Sequence, residues 1–250
     1  MVMQTDSPAT VPVQQILQKL AIYDNAEALL SDLQQQFQAQ ADFKTVGFLN
    51  QHGFNLMLKD RSTFDAFLNL DYLLRDGIGI SLALKYFSMP QGANLNGTDL
   101  IPQMVNRFNT DCTDCFVLGT QSPWLEQGSH KLIGENIKAT KDGFHSLDSY
   151  ISFLRHHIEP GRFSLIVLAM GMPKQEILAE RIKQELQGRG LIICGGAIID
   201  FQAGRFKRAP AWVQKCSLEW LYRLLKEPKR LFRRYVIGIP IFLFRIVFRV

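Results

Sequence analysis

Apolar runs alternate with amphipathic stretches along most of the chain. Five runs rich in Val, Ile and Leu predict strands: TVGFLN (45–50), LDYLLRD (70–76), DCFVLG (114–119), SLIVLAMG (164–171) and LIICGG (191–196). Between them, residues 62–70 and 147–158 have apolar positions at helical spacing, and SPWLEQGSHKL predicts a helix capped by Ser122. Strands that are each followed by a helix favour an α/β fold with a Rossmann-like, mostly parallel sheet and flanking helices.

The composition changes near Gly204. Of the 250 residues, 47% are hydrophobic, which is enough to bury a sizeable core, and the net charge is +5. Residues 204–250 carry twelve Lys and Arg against two acids, a net charge of +10, which leaves −5 for residues 1–203. We therefore expect an α/β body, residues 1–203, and a basic appendage, residues 204–250, that meets an anionic partner such as lipid, phosphate or nucleic acid.

The cysteines and the N-terminal stretch indicate a compartment. Four scattered cysteines do not form a disulfide framework, and this favours a reducing cytoplasm. The stretch MVMQTDSPATVPVQQ has no basic segment followed by an apolar one. The sequence therefore predicts no secretion signal.

One strand end carries an acid beside glycines. Ligands in open α/β sheets bind beyond the carboxyl ends of the strands, and the first such end is LLRDGIG. Asp76 follows the apolar run, and Gly77 and Gly79 allow the backbone to approach a ligand. A carboxylate here is suited to act as a general base on a hydroxyl group. It is equally suited to cap a helix, and the spacing alone leaves both interpretations open.

Two further strand ends have features of anion sites. In MGMPKQE, Gly171 ends a strand and Pro173 suits a helix start, whose free N–H groups favour a diphosphate. Gln175 in this segment is a candidate for hydrogen bonds to a sugar or base, with an ordinary capped helix as the alternative. In CGGAIIDF, Gly195 and Gly196 end a strand at another place where backbone can approach a phosphate.

Other chemistry is weakly indicated. Cys112 and Cys115 have the spacing of metal ligands, but the second pair of ligands that a structural zinc site needs is missing. His52 follows a strand end, where a structural role is the commoner one. No Asp-x-Asp pair, glycine-rich dinucleotide fingerprint or P-loop occurs. The sequence therefore predicts neither a metal nor a cofactor, and it disfavours a dehydrogenase.

Six segments identify a family resemblance. They are LLRDGIG (73–79), NGTDL (96–100), AMGMPKQE (169–176), CGGAIIDFQAG (194–204), KRAP (207–210) and LEWLYRLLKEPKRLFRR (218–234). In this order they resemble the bacterial WecG/TagA/CpsF glycosyltransferases. The resemblance implies transfer of a sugar, N-acetylmannosamine or its uronic acid in well-known members, from UDP to an undecaprenyl-diphosphate-linked saccharide for teichoic acid linkage units, enterobacterial common antigen or capsule. It also implies an inverting, metal-independent reaction and a membrane-binding appendage that closes the active site.

The resemblance implies roles for residues of this chain that lie at the positions of the family's site residues. Asp76 falls on the proposed catalytic base, Asn50 on an active-site Asn and Gln175 on the Gln of the PKQE motif. The family often has Thr where this chain has Phe48 and Arg where it has Asn94. These departures leave the reaction class in place and change which groups of the donor sugar can be bound. The predicted substrate-binding residues are Asn50, Gly77, Asn94, Asn96, Gly171, Lys174, Gln175, Glu176, Gly195, Gly196, Arg208, Arg223, Arg230 and Arg233.

The appendage combines a basic segment with an apolar end. The basic segment puts Arg223, Arg230, Arg233 and Arg234 within reach of an acceptor's diphosphate. The apolar run over residues 235–244 would span roughly 15 Å as a helix, whereas the hydrocarbon core of a bilayer is about 30 Å thick. We therefore expect no membrane crossing here.

We also expect Gly238 and Pro240 to interrupt any helix in the apolar run. A basic collar beside an apolar, aromatic end fits an anchor on anionic lipid, with a buried helix or an oligomer contact as the alternative. Nucleic acid is disfavoured, because aliphatic side chains rather than stacking aromatic rings follow the basic residues. The expected partners are a UDP-sugar, a polyprenyl-diphosphate-linked acceptor and an anionic membrane surface, with a homo-oligomer left open. The expected location is the cytoplasmic, inner face of the bacterial plasma membrane.

Overall fold

An all-parallel sheet of six strands forms the centre of the fold in the computed structural model, which describes residues 12–39, 42–216 and 218–249. The strand order is β2-β1-β6-β5-β3-β4. The strands are β1 (Phe43–Leu49), β2 (Tyr72–Arg75), β3 (Thr113–Gly119), β4 (Ile137–Lys141), β5 (Phe163–Ala169) and β6 (Arg189–Cys194). Residues 1–11, which make up most of the stretch used to argue against a secretion signal, lie outside the described residues.

Helices connect the strands and form the C-terminal end. Up to β6 they are α1 (Pro12–Gln18), α2 (Ala26–Ala39), α3 (Gln51–Met57), α4 (Arg61–Leu68), α5 (Ile78–Tyr86), α6 (Gly97–Phe108), α7 (Trp124–Ile133), α8 (Leu147–His157) and α9 (Lys174–Glu185). After β6 come α10 (Ile198–Gln202), α11 (Ala211–Lys215), α12 (Glu219–Lys226), α13 (Pro228–Phe232), a π-helical turn (Arg233–Ile237) and α14 (Gly238–Phe248).

Helices cover both faces of the sheet. Along β5, Ile166 and Leu168 belong to one core cluster, while Leu165 and Val167 belong to the other, as the alternation of side chains in a strand requires. The first cluster is completed from α1, α3, α4, α5, α8, α9 and α14, and the second from α2, α6, α7 and α10. A parallel sheet with both faces buried accounts for the continuous Val, Ile and Leu runs of its strands.

The chain reverses its winding between β1 and β6. These two strands are neighbours in the sheet, yet β1 continues into α3 on one face and β6 into α10 on the other. Such a reversal leaves a crevice at the carboxyl ends of the two strands. Asn50 and Gly195 directly follow them, so the fold places both predicted residues at this crevice.

The sheet confirms the predicted parallel α/β fold. β4 was not predicted, because its sequence IKATK is largely polar and it lies half-exposed at the edge of the sheet. The predicted cap of α7 is wrong: Pro123 occupies the cap position, and no side chain caps the helix. Ser122 therefore has no capping role there.

The C-terminal helices dock on α3. The Nδ2 of Asn55 donates to the carbonyl oxygen of Gly238 at 2.7 Å, and the Nη1 of Arg245 donates to the carbonyl oxygen of Asn55 at 3.0 Å. The buried ring of Phe242 packs edge-to-face on Phe54, with centroids 5.1 Å apart. These contacts join residues of the predicted appendage to the core of the body.

The predicted helix interruption is also wrong. α14 begins at Gly238 and continues through Pro240, which lies in its first turn. The helical segment is not broken at either residue, because the π-helical turn runs directly into α14 and the N–H of Gly238 donates to the carbonyl oxygens of Arg233 and Tyr235. None of the helices in the described residues has the length and apolar character needed to cross a membrane.

Gly128 provides a test of the packing between α7 and α10. Replacing a mid-helix Gly with Ala normally stabilises a helix by about 1 kcal/mol. A Cβ on Gly128, however, would lie 2.2 Å from the carbonyl oxygen of Ile199. We expect Gly128→Ala to lower the free energy of unfolding by about 1–3 kcal/mol in urea denaturation. Gly97→Ala in α6 is the control, because its Cβ would meet only ordinary contacts at 3.4 Å. Equal effects of the two substitutions would contradict the close approach.

Candidate active site

A cavity of about 360 Å³ opens at the carboxyl ends of β1 and β2. Three parts of the chain line it: the residues that follow these strands, the loop before α6, and the helices from α11 to α14. We refer to it as the β1–β2 pocket. Of the predicted site residues, the pocket contains Asp76, Asn50, Gly77, Asn94, Asn96 and Arg223, together with Arg234 of the basic segment.

Asn50 and Asp76 meet at the pocket's inner end. The Oδ1 of Asn50 accepts hydrogen bonds from the N–H groups of His52 and Gly53, at 3.1 and 3.2 Å, and so caps α3. Because this oxygen is occupied by the cap, the Nδ2 of Asn50 faces Asp76 and lies 3.4 Å from its Oδ2. The N–H of Asp76 donates to the carbonyl oxygen of Leu49 at 2.9 Å, which ties the two strand ends together. Asn50 thus both starts a helix and orients the carboxylate.

The charge of Asp76 is balanced between burial and cations. Burial raises the pKa of its carboxyl group above the ordinary value for Asp. The hydrogen bond from Asn50 opposes this shift, as do the positive charges of Arg234, Arg223 and Arg75. The result is a carboxylate of increased basicity inside a pocket with nearby positive charge.

Two arginines in the pocket have unused hydrogen-bonding capacity. The Nε of Arg223 and the Nε of Arg234 are buried and have no hydrogen-bond partner among the described residues. Burial also lowers the pKa of Arg234. Burial and the charge of Arg234 lower the pKa of the neighbouring His52 to about 4, so this imidazole is neutral at neutral pH. Arginine side chains that line a pocket are suited to bind an anionic ligand.

The loop before α6 closes another side of the pocket. The N–H of Gly77 donates to the Oδ1 of Asn94 at 3.0 Å, which fixes the loop to the end of β2. The Oδ1 of Asn96 caps α6 by accepting from the N–H of Asp99 at 3.1 Å. Gly77 has a φ of +88°, a backbone conformation that favours glycine. A Cβ at this position would meet no atom within 4 Å, so the preference comes from the backbone and not from crowding. Asn94 therefore supports the loop through a short amide side chain.

A second group of predicted residues lies at the ends of β5 and β6. The side chain of Gln175 is buried, donates to the Oε1 of Glu176 at 2.8 Å and accepts from the N–H of Gly196 at 2.9 Å. The Nζ of Lys174 donates to the carbonyl oxygens of Gly143 and His145, at 2.9 and 2.7 Å. These side chains hold the loops that follow β4 and β6, and their contact with a ligand stays a prediction.

The glycines of this second group leave room at the strand ends. Gly171 and Gly196 have positive φ values of 82° and 59°, with no atom within 4 Å of a built Cβ. Gly195 is crowded, because its Cβ would meet the side chain of Ile198 at 2.7 Å. Burial raises the pKa of Glu176 to about 7, and its Oε2 has no hydrogen-bond partner among the described residues.

The other predicted arginines lie outside the β1–β2 pocket. Arg208 forms a two-pronged ion pair with Asp99, the second prong at 2.7 Å. Arg230 pairs with Glu227 at 2.7 Å, and Arg233 is exposed. Their predicted contact with substrate stays untested by this geometry.

The pocket also contains residues that the sequence patterns did not single out. Glu219 and Trp220 come from the start of α12, and Tyr235 comes from the π-helical turn. Burial raises the pKa of Glu219, and the rings of Trp220 and Tyr235 lie 6.0 Å apart. All three residues lie in or next to the segment LEWLYRLLKEPKRLFRR, but the sequence analysis assigned roles only to its basic residues.

The side chains that commonly bind metals are scattered over the described residues. These residues contain no group of three or more His, Cys, Asp or Glu side chains placed to hold a metal ion. The four cysteines are all free, and Cys115 is buried whereas Cys112 is exposed. Burial raises the pKa of the Cys115 thiol to about 12.

A comparison with known families places the chain. The sequence model of the glycosyl transferase WecG/TagA/CpsF family matches residues 16–250, which is nearly the whole chain and includes every segment that lines the β1–β2 pocket. The chain therefore belongs to this family, as the resemblance predicted. It is a glycosyltransferase of cell-surface polysaccharide synthesis.

The balance of charges around Asp76 gives a test of the pocket. Since the positive charge of Arg234 favours the carboxylate form, Arg234→Gln should raise the pKa of Asp76 further. Carbon-13 NMR titration of the carboxyl resonances measures this value, with Asp76→Asn providing the assignment. Arg61→Gln is the control, because Arg61 forms an exposed ion pair with Asp65. An unchanged or lower pKa in Arg234→Gln would rule out their electrostatic coupling.

Proposed function

We propose that this member of the WecG/TagA/CpsF family transfers a sugar from a UDP-sugar to a saccharide carried on undecaprenyl diphosphate, at the cytoplasmic face of the bacterial plasma membrane. The resemblance favours a sugar of the N-acetylmannosamine type, with another hexose or a uronic acid as alternatives. The observation that carries the proposal is the β1–β2 pocket, where the carboxylate oriented by Asn50 lies together with the side chains of Arg223 and Arg234.

Asp76 acts as the general base in this proposal. A carboxylate oxygen accepts the proton of the acceptor's hydroxyl group while the hydroxyl oxygen attacks the anomeric carbon of the donor. The new glycosidic bond forms as the bond from the anomeric carbon to the phosphate oxygen breaks, and UDP leaves with the electron pair. A single displacement of this kind inverts the anomeric centre. The raised pKa of Asp76 supports the role, because it makes the carboxylate a stronger base near neutral pH.

Positive side chains and backbone N–H groups balance the phosphate charges. Arg223 and Arg234 line the pocket that contains Asp76 and supply two of these positive charges. At the crevice, the open backbone of Gly171 and Gly196 and the start of α9 are suited to the donor's diphosphate. We therefore propose that the reaction proceeds without a divalent cation.

The appendage keeps the enzyme at the membrane surface. Basic residues of α12, α13 and the π-helical turn precede, along the chain, exposed apolar side chains of α14, including Phe244 and Phe248. Anionic headgroups attract the basic residues, and the apolar side chains insert at the boundary of the hydrocarbon core. An acceptor with a polyprenyl chain is held at the same surface, so docking raises its local concentration.

Replacing the base tests the chemistry. Asp76→Asn should lower kcat by about 10²–10⁴-fold, because a positioned general base contributes about that factor. UDP affinity, measured by calorimetry, should stay nearly unchanged. Turnover is measured as UDP release in excess EDTA, with a short-chain diphosphate saccharide as acceptor. Asp65→Asn, which removes an exposed carboxylate on α4, is the matched control. A mutant that keeps more than about half of the wild-type turnover would rule out Asp76 as the base.

Replacing exposed rings of α14 tests the membrane contact. Phe244 and Phe248 are 56% and 61% exposed and do not line the pocket. The double variant Phe244→Ser, Phe248→Ser should bind anionic vesicles at least about tenfold more weakly in a sedimentation assay, because two aromatic side chains no longer insert. Turnover of a water-soluble acceptor should be retained. Phe144→Ser, on an exposed ring of the body that is 75% accessible, is the control. Unchanged vesicle binding by the double variant would exclude α14 as the anchor.

A further inference from the structure

The β1–β2 pocket has an apolar wall that the chemistry at Asp76 does not use. Ile78 and Leu82 of α5, together with Ile239, Phe242 and Leu243 of α14, line the same cavity as Asp76, Arg223 and Arg234. We call these five side chains the apolar wall. Sugars, phosphates and uracil have little hydrocarbon to place against it. The apolar wall is therefore suited to a ligand that carries an aliphatic part as well as charge.

The wall is formed by one face of each helix. Ile78 and Leu82 are four residues apart and lie one turn above the other on α5. Ile239, Phe242 and Leu243 share a face of α14 in the same way. Leu82 is 51% exposed, so the wall is incompletely covered by the protein itself. Aliphatic surface left open in a pocket that also contains charged groups is a mark of a binding site.

The two helices approach each other near the start of α5 and again just past its end. At its start, a Cβ on Gly79 would lie 3.7 Å from the ring of Phe242. Just past its end, the ring of Phe87 lies under the guanidinium group of Arg249, 5.6 Å away. The eight residues from Gly79 to Phe87 correspond to about 12 Å of helix. The two helices therefore lie close together at the pocket and again about 12 Å further along.

We propose that the apolar wall binds the first isoprene units of the acceptor's polyprenyl chain, next to the diphosphate. This inference rests on the proposed function and adds a subsite to it. One acceptor molecule carries a hydroxyl group, two phosphates and a hydrocarbon chain in sequence. The pocket offers a carboxylate, two arginine side chains and an aliphatic wall. The wall thereby distinguishes a lipid-linked saccharide from a free one before any bilayer is involved.

The test compares two acceptors with the same saccharide diphosphate and different tails. One tail has a single isoprene unit and the other has three, and both are used below micelle-forming concentrations without vesicles or detergent. Each methylene group that moves from water to an apolar wall strengthens binding by about fourfold. We therefore expect the wild-type kcat/KM to be at least about tenfold higher for the longer tail. Leu82→Asn and Leu243→Asn should each lower this ratio by about threefold or more.

The ratio of the two kcat/KM values can be interpreted even for a variant that folds poorly, because loss of active enzyme lowers both values by the same factor. Leu82→Met, which preserves an aliphatic side chain, should keep the preference. Leu225→Asn is the matched control: this leucine of α12 is 74% exposed and does not line the pocket, so the ratio should be unchanged.

The outcomes separate the inference from the proposed function. If the wild-type enzyme transfers sugar to neither acceptor from any UDP-sugar offered, the proposed function fails and the inference with it. If it uses both acceptors with equal kcat/KM, the function stands and the inference is overturned. A preference that Leu225→Asn reduces as much as Leu82→Asn would assign the effect to general surface hydrophobicity, and this also overturns the inference.

Discussion

The docking of α14 on α3 is the contact on which the pocket depends. α3 begins at Asn50, whose amide is divided between the helix cap and Asp76. One turn further along the same helix, Phe54 and Asn55 hold the ring of Phe242 and the backbone of Gly238. A helix of seven residues therefore connects the orientation of the carboxylate to the position of the C-terminal helices. Any displacement of α14 would open the pocket beside the residue that we propose as the base.

Docking also determines the electrostatics of the pocket. Arg223 and Arg234 lie in the segment between α11 and α14, and their Nε groups are left without partners among the described residues. Unpaired polar groups in a buried place are costly, and so is a partly buried carboxylate. The packing of Phe242 into the core offsets part of this cost. A diphosphate bound beside Arg223 and Arg234 would pair with their charges, and charge-assisted hydrogen bonds of this kind contribute to affinity.

The fold and one part of the site were predictable from the sequence, for local reasons. Strands buried on both faces give continuous apolar runs, and an acid followed by glycines marks the end of β2, where the structure places Asp76 in the pocket. The sequence did not predict β4, because an edge strand needs few apolar residues and so lacks a continuous apolar run. Pro240 was misinterpreted because its position relative to the helix start was unknown.

Other parts of the site depend on contacts between distant residues. The burial of Gln175 and its bond to Gly196 join α9 to the end of β6 across 21 positions of the chain. No local pattern reveals that such a side chain supports a loop. The same holds for the residues of α12 and α14 that enter the pocket, because the sequence of an apolar, basic segment does not tell which of its faces meets the body.

The composition of α14 has a physical explanation in these contacts. A helix that is apolar on nearly all sides needs apolar surroundings on nearly all sides. Phe242 and Ile246 face the core, Leu243 borders the pocket, and Phe244 and Phe248 face outward. In the proposed function these directions correspond to the body, the acceptor's hydrocarbon chain and the membrane boundary. One short helix would then couple three apolar environments, so that the pocket is complete where lipid-linked acceptors are found.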